Sequence, residues 1–132
     1  MESMMQFTLG GIDFVMENIV FQYMCRDAVM ADVVVDRLNR RVSCVNHTDD
    51  ITLRPFGRRA EPTLEDFADF LESRCFPRDR RNCEQLLGDL GLDSYTPLGI
   101  VRVTHGRQLE DYCWIRFEGE DLEYERDIKL RD

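Results

Sequence analysis

Chemistry at neutral pH would have to come from few residues in this chain. It holds five cysteines, Cys25, Cys44, Cys75, Cys83 and Cys113, and two histidines, His47 and His105. A thiol–imidazole pair needs the two groups side by side to form a thiolate nucleophile. Cys44 and His47 stand three apart in a strand-like run, which sends them to opposite faces of a pleat. His105, in Thr104-His105-Gly106, falls where a helix should end, and an imidazolium there would serve the helix dipole and the last carbonyls. A zinc site wants four paired Cys/His ligands. Cys75 and Cys83 instead fall on the apolar faces of two separate helical patterns, and no Cys-x-x-Cys occurs. Gly10-Gly11 is not followed by the Lys-Ser/Thr pair of a phosphate loop. No kinase-type catalytic loop or metal-binding Asp-Phe-Gly is present either. The reading is therefore of no catalytic residue, no metal and no cofactor.

What remains is charge. The balance of 17 Lys+Arg against 26 Asp+Glu gives a net charge of −9. Such a balance repels nucleic acid and attracts basic protein surfaces. Two local concentrations stand out. Glu118, Glu120, Asp121, Glu123, Glu125 and Asp127 form a dense acidic stretch, the candidate contact for a basic groove. Arg78, Arg80 and Arg81, with Arg74, surround the Phe76-Pro77 corner and form a candidate anion site. The competing reading makes the first a solvated tail, and makes the arginines a cap and a counterweight to neighbouring acids.

The elements that must position these groups come in two halves. At 132 residues with 43% apolar content, one domain with a real core is expected. Residues 1–57 read as mostly β, 63–106 as helical, and 107–132 as a strand plus an acidic tail. Gln6–Leu9 and Ile12–Met16 flank Gly10-Gly11 as a hairpin. Ile19–Cys25, Ala28–Val35 and Arg41–His47 read as an antiparallel meander with one buried face, and Ile51–Phe56 as a short edge strand, because Pro55 would not suit a central one.

Thr63 with Asp66 has the spacing of a capping box. Leu64, Phe67, Ala68, Leu71 and Cys75 then recur on one helical face, and Pro77 stops the run. Asp79 is expected to cap a second helix with Cys83, Leu86, Leu87 and Leu90 inward and Gly91 closing it. Thr96-Pro97 starts a third helix that ends at Gly106. Tyr112–Phe117 alternates as a strand, with Trp114 and Phe117 expected to seal the helix–sheet seam. The fold class is α+β: an antiparallel sheet of four to five strands with two or three helices packed on one face.

Several motifs fall together in order: Phe76-Pro77-x-x-Arg80-x-Asn82, Leu86-Leu87-x-x-Leu90-Gly91-Leu92, Pro97-Leu98-x-Ile100-Val101 and Thr104-His105-Gly106-Arg107-x-Leu109-x-Asp111-x-x-Trp114-Ile115. With Phe21–Met24 and Ala31–Asp36 they resemble the N-terminal leader region of clostridial HipA-like kinase proteins. The resemblance implies a free-standing version of that leader without the kinase. In size and charge the chain is also similar to accessory proteins of phages and other mobile genetic elements, including inhibitors of the anti-CRISPR type.

The expected function is a small acidic, non-enzymatic binding protein that inhibits or regulates a partner with a basic surface, such as a nucleic-acid-handling defence nuclease. The alternatives are a regulatory module acting in trans on a HipA-like toxin kinase, and a Cys/His enzyme. The odd cysteine count and the absence of a signal peptide suggest a cytoplasmic setting. No membrane span and no direct nucleic-acid contact are expected.

Overall fold

The strands dictated by β-branched alternation assemble into a four-stranded antiparallel sheet in the order β5-β4-β3-β6. A computed structural model describes residues 4–9 and 12–130 of the chain. Strand β3 is Ile19–Cys25, β4 is Ala28–Asp36, β5 is Arg41–Asn46 and β6 is Cys113–Phe117. Ahead of them β1 (Met4–Leu9) and β2 (Ile12–Glu17) pair with each other as a separate two-stranded sheet. The Gly10-Gly11 turn expected between them lies outside the described residues. Arg26-Asp27 makes the tight β3–β4 connection, with Arg26 in the left-handed region at φ 52°. A bulge shifts the β3–β4 register between Tyr23 and Met24.

Alternation gives the sheet two unlike faces. Ile19, Phe21 and Tyr23 share one face with Ala31, Val33, Val35, Cys113, Ile115 and Phe117, and all of them are buried. Helix α1 (Leu64–Ser73) packs there through Phe67, Phe70 and Leu71. The capping box is present: Asp66 N–H donates to the Thr63 hydroxyl, and Thr63 N–H donates to the Asp66 carboxylate. The inward stripe, however, takes Phe70 in place of the expected Ala68, which is exposed. Phe70 is the hub of an aromatic cluster. It stacks on Phe21 at 6.0 Å and meets Tyr23 and Phe56 edge-on at 5.1 and 5.8 Å. Such pairs add about 0.5–1.5 kcal/mol each beyond the area they bury.

Helix α2 (Cys83–Asp89) begins later than expected. Asp79 does not cap it, because residues 77–83 form consecutive turns, with Arg80 N–H bonded to Pro77 and Cys83 N–H to Arg80. Its end follows the sequence. Gly91, at φ 76°, and Leu92 donate to the carbonyls of Gly88 and Leu87, the paired bonds of a Schellman closure. Helix α3 (Pro97–Thr104) buries Ile100 and Val101 and ends at His105, itself left-handed at φ 59°.

Three further expectations are corrected. Ile51–Phe56 is not a strand: Ile51–Leu53 is a 3-10 turn whose start is held by Asp50 accepting from Thr52 N–H, and Phe56 is driven into the aromatic cluster. Trp114 does not seal the helix–sheet seam. It points to the opposite face, where it and Met24 are fully buried. What covers them is part of the stretch read as an acidic tail. Tyr124–Ile128 forms one π-helical turn that lays Tyr124 and Ile128 onto Trp114 and Met24. The Trp114 indole N–H donates to the Arg26 carbonyl at 2.7 Å, and Tyr124 N–H to the Asp27 carboxylate at 2.9 Å.

The outer margin of β6 is occupied by polar groups. Cys113 N–H donates to Asp111, Ile115 N–H to the His105 carbonyl, and Phe117 N–H to Glu120.

Candidate functional site

Because Tyr124 and Ile128 anchor it, the acidic stretch is a fixed surface whose carboxylates fall into two groups. Glu120 and Asp127 serve the fold. Glu120 accepts from Phe117 N–H at 2.7 Å and meets His105 Nε2 at 2.9 Å. Asp127 accepts from Glu123 N–H and from Arg126, which hold its carboxyl below the usual range. Glu123 and Glu125 are outward but partnered, by Arg126 at 3.7 Å and Lys129 at 3.0 Å. Glu118 and Asp121 are exposed. The expected six-carboxylate edge is thus a smaller outward set of Glu118, Asp121, Glu123 and Glu125.

The arginine corner also divides. Arg78 lies over the Tyr95 ring at 4.3 Å, while Arg80 and Arg81 stand exposed on the turns before α2. Arg74 is not part of that surface. It is the one buried charged residue among the described residues. Its Nε donates to the Gly106 carbonyl at 2.8 Å, and Nη2 donates to the Cys113 carbonyl at 2.9 Å. Both Nη groups grip Asp111 in a two-pronged pair at 2.8 and 3.0 Å. Burial alone would raise the Asp111 carboxyl, but Arg74 and the Cys113 N–H together hold it below its ordinary value. The pair pins the loop after α3 to α1 and β6. Its sequence signal was the helical stripe itself, since Arg74 follows Phe67, Phe70 and Leu71 on one face.

Pinning that loop shapes a surface that the sequence reading missed. A hollow of about 450 Å³ opens beside the acidic stretch, bordered by Arg26, Leu109, Tyr112, Tyr124, Glu125 and Leu130. Leu109, Tyr112 and Leu130 are 60%, 52% and 45% exposed, an unusual concentration of large apolar side chains in water. The Arg26 guanidinium lies 4.1 Å over the Tyr112 ring, and Tyr112 meets Tyr124 edge-on at 6.3 Å. Tyr124, buried at its base, joins this patch to the acidic turn.

Both histidines are engaged with carboxylates. His105 Nε2 meets Glu120, so its side chain does not cap α3; its backbone N–H closes the helix on Val101 instead. His47 Nε2 sits 2.6 Å from Asp32, whose other oxygen accepts from Gln22, and Gln22 in turn accepts from Arg116. This row runs across β6, β3 and β4 to the residue just past β5, on the face away from the helices, and the His47 contact lowers the Asp32 carboxyl. Neither imidazole has a thiol partner. Burial raises the thiols of Cys44, Cys113 and Cys75, the last to about 11. Among the described residues no group of three or more His, Cys, Asp or Glu is arranged to hold a metal ion, and no helix is long and apolar enough to cross a membrane. No family model matches the chain, and neither a curated protein nor a solved structure is detectably similar to it.

Proposed function

We propose that this chain is a non-enzymatic binding protein that inhibits or regulates a basic partner by covering its surface, the partner being a nucleic-acid-handling protein such as a defence nuclease. The observation that carries the reading is the hollow where the Leu109–Tyr112–Leu130 patch meets Glu125 of the acidic C-terminal turn. Well-bound interfaces place aromatic and aliphatic anchors at the centre and charge at the rim. Here Tyr112 supplies the anchor, and Glu118, Asp121, Glu123 and Glu125 supply a negative field in a chain of net charge −9. Because the acidic turn is already folded onto Trp114 and Met24, little of its ordering cost falls on binding. The field would raise the on-rate for a basic groove and compete with phosphates there.

The test is capture with the full chain as bait, at low and high salt, against proteins that handle nucleic acid. Basic proteins should be retained, released by single-stranded DNA and weakened by salt. Replacing Glu118, Asp121 and Glu123 by amides should cost about tenfold in affinity, and Tyr112→Ala more. Salt-insensitive capture indifferent to all four changes would sink the proposal. Capture of a kinase through the same patch would favour the regulatory reading over the nuclease one.

A further inference from the structure

Two of the five thiols face each other across the sheet. The β3–β6 register sets Cys25 directly opposite Cys113. In that register Arg26 N–H bonds to the Tyr112 carbonyl and Glu118 N–H to the Val20 carbonyl, both at 2.9 Å. Hydrogen-bonded rungs alternate with unbonded ones, so Cys25–Cys113 is an unbonded rung, the closely spaced kind with Cα atoms about 4.5 Å apart. Disulfides span Cα separations of about 4.4–6.8 Å. The Cβ atoms of such a rung start about 4.5–5.5 Å apart and must close by roughly 1 Å. Both side chains belong to the helix-side core: Cys113 is buried and Cys25 packs half-exposed against it. The other thiols are committed elsewhere, Cys44 to Asn46 and Cys75 to the carbonyls of Leu71 and Pro97. Cys83 sits at the start of α2.

We propose that Cys25 and Cys113 are an oxidisable pair that closes into a cross-strand disulfide on meeting a low-molecular-weight disulfide. The more accessible Cys25 thiolate attacks one sulfur of the reagent, whose S–S bond breaks and whose other half leaves as a thiolate. Cys113 then gives up its proton and attacks the Cys25 sulfur, expelling the second half. Two protein thiols are oxidised, the reagent is reduced to two thiols, and the two protons released end on those products. The second step is the slower one, because burial disfavours the Cys113 thiolate while the Tyr23 hydroxyl beside it eases the charge. The product ties the edge strand β6 to β3 at the rung beside Arg26 and Tyr112. It depends only on strand register and stands apart from the binding role proposed above.

The experiment incubates the folded full-length protein with oxidised glutathione, blocks remaining thiols and maps peptides without reduction. Folding is monitored throughout by the fluorescence of Trp114, the single tryptophan. A linked Cys25–Cys113 peptide is expected, with the melting temperature raised by about 5–15 °C and restored by reductant. Cys25→Ser should abolish both link and shift. Cys44→Ser, Cys75→Ser and Cys83→Ser should leave them. A stable glutathione adduct on Cys25 with no internal link would overturn the proposal. So would a linked form that melts no higher than the reduced one.

Discussion

Replacing Arg74 by Met tests whether one buried cation holds α1, the loop after α3 and β6 together. The guanidinium makes four hydrogen bonds, two to the Asp111 carboxylate and one each to the Gly106 and Cys113 carbonyls. Methionine keeps much of the stem's packing but leaves two buried carbonyls without their donor and the half-exposed Asp111 carboxylate with only the Cys113 N–H. Breaking a buried ion pair by removing one partner costs about 3–5 kcal/mol, and the partial exposure of Asp111 argues for the lower end, about 3 kcal/mol. For a chain of this length that is a fall of about 10 °C in melting temperature. Asp111→Asn keeps the shape and loses the charge, and should cost about 1–2 kcal/mol.

The pH dependence has a definite sign. The Asp111 carboxyl is depressed in the folded state, so its contribution is present above the unfolded carboxylate range, near pH 4. It is lost as pH falls through the lower folded value. Wild type and Asp111→Asn should therefore differ at pH 7 and converge in acid. Urea unfolding of both single variants and the double variant at pH 7 supplies the coupling. An Arg74→Met protein within 0.5 kcal/mol of wild type, with no coupling to Asp111, would refute the reasoning.

Two further changes probe the other supports. Ile128→Ala should cost about 2–4 kcal/mol and expose Trp114, seen as a red shift of its emission and faster cleavage after Lys129; an unchanged emission would mean the turn does not cover the ring. Gly106→Ala puts a Cβ 3.1 Å from Arg74 Cβ and 3.3 Å from Ile115 Cδ1, at a left-handed φ of 64°. A loss of about 1–3 kcal/mol by thermal unfolding is expected, and a neutral result would mean that the loop shifts freely.

What the sequence showed and what it hid follow from how local each signal is. Strands β3 to β5, the Thr63 cap and the Gly91 closure rest on neighbours within a few positions, and each was legible. The face chosen by Trp114 was not, because it depends on a covering segment ten residues later. That segment misleads in two ways. Its acids outnumber its apolar residues, and Leu122, Tyr124 and Ile128 are spaced two and four apart, which fits neither a strand nor an α-helical stripe. Phe70 and Arg74 were readable in principle, since both continue the Phe67–Leu71 face. Arg74 stands close in sequence to the arginines of the Phe76-Pro77 corner, so its charge points to that surface while its helical phase points to the core. The hollow beside Tyr112 could not be read at all: its walls come from the β3–β4 turn, the loop before β6 and the chain's end.

The occupied margin of β6 also has a consequence for how copies of this chain meet. A bare strand edge invites a neighbouring polypeptide to extend the sheet and seeds aggregation. The amides of Cys113, Ile115 and Phe117 are already spent on Asp111, His105 and Glu120. An intruding strand would have to evict a carboxylate, a loop carbonyl and a second carboxylate in succession. Runaway stacking is thereby blocked along that border.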